Sequence, residues 1–143
     1  MRHTVPMDQV AVLEQQTPFM TSLQLDLETV EAGVPVPTLT NFVAASGIEF
    51  KDIYEVVIPA RTLKHRKARK EHLTPDESDK LVRLIRVYDQ AVRVFGDKEK
   101  ALYWLGEAKW RFDGRTAIQM LRTDLGGRAV EEMLGQIYYG MFA

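Results

Sequence analysis

The chain contains no cysteine and only 3 histidines among its 143 residues. Without cysteine, disulfide bonds, thiolate zinc sites, iron–sulfur clusters and cysteine nucleophiles are all excluded. His65 and His72 lie close together in the sequence, but no third ligand is obvious beside them, so we expect no metal site. No apolar run approaches the ~18 residues that span a bilayer, and the start of the chain does not resemble a signal peptide. We therefore expect a cytoplasmic protein with no membrane contact.

Strand signals are almost absent as well. Hydrophobic residues nevertheless make up 45% of the chain, and they include 6 Phe, 5 Tyr and 2 Trp. This content excludes a disordered chain, and a chain of this length can bury a substantial core as one domain or as two small ones. Apolar residues recur at helical spacing through most of the sequence, which predicts an all-α fold of about eight helices.

The clearest local signature is "TPDES", at residues 74–78. Thr74 as the N-cap and Glu77 three positions later predict a capping box at the start of a helix. A stripe of apolar residues follows over 81–95, which is the pattern of a long amphipathic helix. Thr116 and Gln119 repeat the capping pattern further along the chain and predict a second helix start.

Weaker patterns predict the remaining elements. The two prolines of "VPVPTLT" fix their own φ and disfavour a helical conformation in the residues before them, so residues 34–40 are predicted to be extended. Gly33 and Gly47 are predicted to end the helices that precede them. The other predicted helices cover approximately residues 8–16, 23–33, 39–45, 49–56, 60–69, 97–105 and 127–140.

The net charge of −1 hides an uneven distribution. Residues 1–60 carry 2 basic and 8 acidic side chains, residues 61–86 carry 9 and 4, and residues 87–143 carry 8 of each. Six of the basic side chains fall within residues 61–70, where there is no acidic residue. A local excess of this kind points to an anionic partner.

Two short predicted helices joined by a tight turn form the pattern of a helix-turn-helix motif, and the second helix contains this basic run. The second helix of that motif enters the major groove, and its N-terminal part would bring four side chains to the base edges: Arg61, Thr62, Lys64 and His65. The later basic side chains would hold the DNA backbone: Arg66, Lys67, Arg69 and Lys70. A solvated basic linker, or a surface for RNA or anionic lipid, is the alternative. Val57 also occupies a turn position where many such motifs carry glycine.

The C terminus is rich in large apolar side chains: Tyr138, Tyr139, Met141 and Phe142. Aromatic residues and Met are enriched at the centres of protein interfaces, so we predict that this tail binds a partner; packing onto the chain's own core is the alternative. Trp104 and Trp110 are predicted to lie in the core. No nucleophile–base pair can be placed, and Gly126-Gly127 lacks the strand, loop and lysine of a phosphate loop, so no enzyme is predicted.

An ordered set of motifs covers residues 61–140. It runs from "RTLKHRKARK" through "LTPDES", "VFGD" and "ALYWL" to "GRT" and "VEEMLGQIYYG". As a set, these motifs resemble the Xre/MbcA/ParS antitoxins, which pair with RES-domain toxins. Two departures are Ala117, where the family usually has proline, and "AKWRFDG" in place of a loop that contains Asn-Pro. The positions that match the family pattern are Trp104, Leu105, Gly114, Arg115, Thr116, Ile137, Tyr139 and Gly140.

The resemblance implies an Xre-like helix-turn-helix domain over residues 1–73 and a helical toxin-binding domain over residues 74–143. The first would bind the operator DNA of its own operon. The second would cover the active-site entrance of an NAD-consuming RES toxin. The expected toxin contacts are Arg115 and, near it, the terminal residues Tyr138, Tyr139, Met141 and Phe142. The resemblance thus implies an antitoxin with no catalysis and no cofactor of its own.

Paired DNA half-sites favour a homodimer, within a larger toxin–antitoxin complex. Val82, Val87 and Val94 lie outside the main stripe of the long helix, and we expect them to offer apolar surface for self-association. The alternative function is a stand-alone helix-turn-helix transcriptional regulator whose C-terminal half only dimerises or senses a ligand. A toxin-like neighbouring open reading frame would distinguish the two.

Overall fold

The computed structural model describes residues 25–141, and in this part of the chain it contains eight α-helices and one short 3-10 turn. The only paired extended backbone among these residues is a single bridge between Ala108 and Thr116, so the predicted all-α fold is confirmed. The predicted helix over residues 8–16 lies outside the described residues, as does Phe142. The helices are α1 (Leu27–Ala32), α2 (Val36–Ser46), α3 (Phe50–Val56), α4 (Ala60–Arg69), α5 (Pro75–Phe95), α6 (Lys98–Gly106), α7 (Ala117–Met120) and α8 (Asp124–Gly140).

Helix α2 begins earlier than the sequence predicted. Pro35 is extended and serves as the N-cap, and the helix starts at Val36. Pro37 lies in the first turn, where a backbone N–H would have no partner within the helix, so this proline removes no helical hydrogen bond. The prediction that residues 34–40 are extended is therefore wrong beyond Pro35. Gly47 ends the helix in the left-handed conformation, as predicted.

The loop before α2 is fastened to the loop before α5. The amide of Leu73 donates to the carbonyl of Val34 at 2.9 Å, and the amide of Val34 donates to Ser78 Oγ at 2.8 Å. Gly33 has a φ of +94°, and a Cβ at this position would collide with the carbonyl oxygen of Leu73. Only glycine meets both conditions, so Gly33 ends α1 as predicted and lets the two loops approach.

Helix α5 is the central helix of the structure, and the predicted capping box starts it. Thr74 Oγ1 accepts from the amide of Glu77 at 3.1 Å, and Glu77 Oε1 accepts from the amide of Thr74 at 2.8 Å. With 21 residues the helix is about 30 Å long. It contacts α1, α6 and α8, and these neighbours cover it on several sides.

The burial of α5 overturns one prediction. Val87 and Val94 are 0% and 4% exposed, and Val82 is half-buried. These three valines are predicted to offer apolar surface for self-association. The chain itself covers most of that surface, so the prediction is wrong. The reason is that α5 packs against helices outside its main apolar stripe as well as within it.

Helix α8 lies beside α5 and runs in the same direction. Arg83 Nη1 donates to the carbonyl of Leu121, just before α8, at 3.0 Å. Further along both helices, Gln90 Nε2 donates to the carbonyl of Glu131 at 3.1 Å. By the same register, the C-terminal end of α8 lies beside the C-terminal end of α5.

Helix α8 starts at Asp124, with Thr123 as its N-cap, and not near Gly127 as the sequence predicted. The glycine pair lies inside the first turns because the neighbouring backbone and side chains approach too closely for a Cβ. At Gly126 a Cβ would collide with the carbonyl of Met120, and at Gly127 it would lie 2.8 Å from Arg83 Cδ. The pair thus serves close packing.

Helix α7 packs between the N-terminal and the C-terminal half of the chain. It packs against α3 on one side and against α6 and α8 on the other. Buried residues from both halves form one continuous core, in which Ile53, Leu84 and Leu134 are each fully covered. The α3–α4 pair is therefore held in a fixed position relative to the C-terminal helices.

None of the described helices is both long and apolar enough to cross a membrane.

Candidate functional site

Helices α3 and α4 form a tight helix-turn-helix. The amides of Val57 and Ile58 both donate to the carbonyl of Ile53, at 2.9 and 3.0 Å, and Pro59 then caps α4. The side chains of Val57 and Ile58 are buried. Val57 has a φ of −118°, so this turn does not need glycine, which explains why valine is compatible with the motif.

The second helix of the motif, α4, exposes its basic side chains. Leu63 is its buried residue and fixes which face turns inward. Thr62 is half-buried, near the N-terminal end. The predicted DNA-contacting side chains that are exposed are Arg61, Lys64, His65, Lys67, Arg69 and Lys70. All eight predicted side chains thus lie on α4 or at its C-cap, and one basic side chain among them is an exception because a carboxylate of another helix binds it.

The exception is Arg66, which is engaged by Glu77 at the start of α5. Its Nε donates to Glu77 Oε1 at 3.2 Å and its Nη2 to Glu77 Oε2 at 3.1 Å. Hydrogen bonding to Glu77 raises the pKa of Arg66. Burial by itself would raise the pKa of Glu77, but hydrogen bonds from Arg66 and the Thr74 amide outweigh it and hold that pKa below its usual value. In this structure Arg66 ties α4 to α5, a role that helical spacing alone did not reveal.

The C-terminal end of α4 has an unusual cap. Lys70 adopts the left-handed conformation with φ 55° and ψ 38°. The amide of Glu71 donates back to the carbonyl of Arg66 at 2.9 Å, which closes the last turn. Lys67 points toward the Phe50 ring, with its Nζ 5.9 Å from the centroid. The end of the basic helix is therefore ordered by local contacts.

A groove of about 890 Å³ separates the turn of the helix-turn-helix from the start of α8. Tyr54 and Pro59 line one wall, and Arg122 and Leu125 line the other. Arg115 belongs to the second wall, where its Nη1 lies 3.7 Å from the Sδ of Met120.

This position separates Arg115 from the C-terminal tail. Its groove also includes Ala129, and Tyr138 lies nine residues, or about 14 Å, further along α8. The prediction that Arg115 lies near the tail is therefore wrong. The two sets of residues predicted for one interface face different ends of α8.

The tail itself divides into a packed and an open part. Tyr138 is half-buried against the core, and its ring makes an edge contact with that of Tyr139 at 5.6 Å. Tyr139 and Met141 are 75% and 61% exposed. The packing alternative thus applies to Tyr138, and binding of a partner by Tyr139 and Met141 stays a prediction.

Trp104 and Trp110 differ from each other. Trp104 packs against Phe95 at the edge of the core, with ring centroids 5.7 Å apart. Trp110 is 86% exposed, so the prediction that it lies in the core is wrong. It begins the 3-10 turn 110–112, in which Phe112 takes the buried position. Helical periodicity could not reveal which of the two aromatic residues is buried, because the loop has no helical period.

The loop that carries Trp110 is held firmly. The amide of Lys109 donates to the carbonyl of Arg115 at 3.0 Å, and the amide of Gly114 donates to the carbonyl of Lys109 at 2.9 Å. Lys109 Nζ donates to the carbonyl of Trp104 and lies 4.2 Å from the centroid of its indole ring. Desolvation in this position lowers the pKa of Lys109. Across residues 25–141, no cluster of His, Asp and Glu side chains could hold a metal ion.

Two family models match this chain. An antitoxin Xre-like helix-turn-helix domain matches residues 27–86, and an antitoxin Xre/MbcA/ParS C-terminal toxin-binding domain matches residues 90–140. The first match contains α3 and α4, and the second contains the Trp110 loop, Arg115 and, of the tail, Tyr138 and Tyr139. The two matches meet within α5.

Similar proteins named Antitoxin Xre occur in three bacteria. The chain is 50% identical to one from Pseudomonas putida over 84 residues, which cover 59% of this chain and 53% of the relative. It is 29% identical to one from Yersinia enterocolitica over 82% of this chain and 80% of the relative. It is 32% identical to one from Photorhabdus laumondii over 76% of this chain and 75% of the relative. The match thus spans about half the length of the Pseudomonas protein and most of the other two.

Proposed function

Since this chain belongs to the Xre family of antitoxins, we propose that it neutralises a cognate RES-domain, NAD-consuming toxin by covering the toxin's active site, and that it binds operator DNA to regulate its own operon. The order of a helix-turn-helix domain and a toxin-binding domain along the chain carries this proposal. On this proposal the protein has no catalytic reaction and no cofactor of its own, and it acts in the cytoplasm.

The DNA-binding part of the proposal rests on α4. A reading helix needs exposed polar side chains at its N-terminal end and cations along its length, and α4 has both. Arg61 and Thr62 occupy the end nearest the turn. On this proposal Lys67 and Lys70 contact phosphates, whereas Arg66 holds the helix against α5.

The toxin-binding part rests on the distal end of α8. Tyr139 and Met141 are large, apolar and exposed, as interface anchors are before a partner binds. Glu77, which binds Arg66 of α4, lies at the start of α5, and the tail lies beside the far end of that helix. The separation along α5 is about 25 Å. We therefore expect that one molecule can bind toxin and DNA at the same time.

We also propose that the protein forms a homodimer within a larger toxin–antitoxin complex. A single helix-turn-helix covers a small DNA site, and two copies that bind half-sites about one helical turn apart give the usual solution. The dimer surface must lie outside the buried face of α5.

The function is tested by expressing the neighbouring toxin-like gene with and without this protein. We expect growth arrest and loss of cellular NAD with the toxin alone, and recovery of both when this chain is present. In parallel, the purified chain should bind DNA from upstream of its own gene. A chain that binds this DNA but has no toxic neighbour would instead be a stand-alone transcriptional regulator.

A further inference from the structure

We propose that Arg115 and Arg122, both within the toxin-binding domain, bind the phosphate backbone of DNA next to the segment read by α4. This inference rests on the proposed DNA binding and extends the DNA-binding surface across the groove onto the second domain. It assigns Arg115 to a partner other than the toxin.

The position of the groove is the first reason. One wall runs along the end of α3 and the turn to Pro59, which is the residue directly before α4. The other wall contains Arg115 and Arg122. Because the N-terminal end of α4 is the end that approaches the bases in a helix-turn-helix, the second wall stands beside the DNA when α4 is docked.

The rigidity of this wall is the second reason. Helix α7, which lies between Arg115 and Arg122 in the chain, packs directly against α3. Thr116 caps α7 through the predicted capping box, with its Oγ1 accepting from the amide of Gln119 at 3.0 Å. The two arginines are therefore presented at a fixed distance from α4 and need no rearrangement to act together with it.

The charge of the groove is the third reason. Its charged lining consists of Lys80, Arg115 and Arg122 against a single acid, Glu55. Lys80 is paired with Asp76 at 3.2 Å. Neither arginine forms an ion pair with a carboxylate among residues 25–141, and both are exposed. Guanidinium groups without a carboxylate partner at an open surface match the phosphate oxygens of a backbone.

The location of the tail argues against the toxin as the occupant. The groove opens at the end of the molecule that carries α4, whereas Tyr139 and Met141 lie at the other end of α8. Leu125, which is 79% exposed at the groove, is the feature that a protein partner would use. The toxin is therefore the competing occupant in the test.

The test measures DNA affinity of the full chain for a duplex from its own upstream region, by fluorescence anisotropy, between about 50 and 200 mM salt. Each phosphate contact contributes ~0.9 to the slope of log K against log salt, so the double variant Arg115→Ala/Arg122→Ala should lower the slope by ~1.8. Each arginine should also account for a roughly eightfold loss of affinity at 0.1 M salt. The double variant with lysine at both positions should keep most of the slope.

Arg111→Ala is the matched control, because Arg111 is an exposed arginine of the same domain outside the groove. It should leave the slope unchanged. Toxin neutralisation by all variants should equal that of the wild type.

Three results would overturn the inference in distinguishable ways. An unchanged slope in the double variant shows that the groove does not contact DNA, while the proposed function stands. An unchanged slope with weakened neutralisation assigns the arginines to the toxin. Absence of salt-dependent binding by the wild-type chain would refute the proposed DNA binding itself and, with it, this extension.

Discussion

Arg66 of α4 and Glu77 of α5 face each other as a two-bond ion pair, with Nε–Oε1 and Nη2–Oε2 distances of 3.2 and 3.1 Å. The same carboxylate accepts the amide of Thr74 and so completes the capping box of α5. One acidic side chain therefore starts the central helix and fixes the basic helix against it. The orientation of the DNA-reading element depends on this contact.

Removing Arg66 should destabilise the fold. Arg66→Ala leaves a mostly buried carboxylate without its charged partner, which costs about 1–3 kcal/mol of unfolding free energy. Urea denaturation followed by circular dichroism measures the change. Arg128→Ala breaks an exposed pair with Asp124 and should change the midpoint little. Equal effects of the two variants would contradict the structural role of Arg66.

The same pair predicts a pH dependence. Because the folded-state pKa of Glu77 is lower than its unfolded value, its contribution is fully present above the ordinary value of 4.5. That contribution is lost as the pH falls through the lower folded pKa. Glu77→Gln should therefore make the unfolding free energy fall less steeply between pH 5 and 3, roughly. An identical acid slope in both proteins would exclude Glu77 as a source of the pH dependence.

Lys70→Gly should stabilise the protein while weakening DNA binding. The left-handed conformation of Lys70 costs an L-residue about 1–2 kcal/mol, and the greater unfolded-state freedom of glycine offsets part of that gain. We expect a net stabilisation of about 0.5–1 kcal/mol by urea denaturation. The salt slope of DNA binding should fall by ~0.9. Lys67→Ala is the control, because it should lower the slope without stabilising the fold.

Gly126→Ala and Gly135→Ala should act in opposite directions although both lie in α8. A Cβ at Gly126 collides with the carbonyl of Met120, so the start of α8 must shift, at a cost of about 1–3 kcal/mol. A Cβ at Gly135 meets nothing within 4 Å, and alanine there should stabilise the helix by about 0.5–1 kcal/mol. Thermal unfolding should show a lower melting temperature for Gly126→Ala and a higher one for Gly135→Ala than for the wild type. A tolerated alanine at position 126 would mean that the α7–α8 junction is looser than described.

The sequence predicted those elements that are marked by local chemistry. Thr74 with Glu77 and Thr116 with Gln119 form capping boxes in the structure, because such boxes need only residues three positions apart. Features that depend on distant neighbours were missed. Arg66 looked like any other cation of α4, since Glu77 reaches it only after the chain turns back.

The dependence on distant neighbours also explains why the predicted positions of Trp110 and Arg115 were wrong. Residue type predicts that Trp110 lies in the core, but Phe112 occupies the buried position in the same loop. The resemblance groups Arg115 with the tail, because Arg115 and Tyr139 both match the family pattern. The length of α8 then separates them, and no pattern in the sequence encodes the parallel packing of α5 and α8 that sets this distance.

The exposed residues of the tail should anchor the toxin. Tyr139→Ala/Met141→Ala should weaken toxin binding by about 2 kcal/mol or more, or ~30-fold in Kd, since exposed aromatic anchors dominate interfaces. Both side chains are mostly exposed, so the unfolding free energy and operator affinity should not change. Leu27→Ala is the control, because Leu27 is 73% exposed on α1, within the helix-turn-helix match, and should leave toxin binding intact.

Deleting residues 138–143 should abolish neutralisation in co-expressing cells and leave operator binding largely intact. Deletion also removes the packed ring of Tyr138, so the double variant isolates the surface effect from the packing effect. If the double variant silences the toxin fully, the neutralising surface must lie on the 97–125 region, where Trp110 is the exposed aromatic to test next.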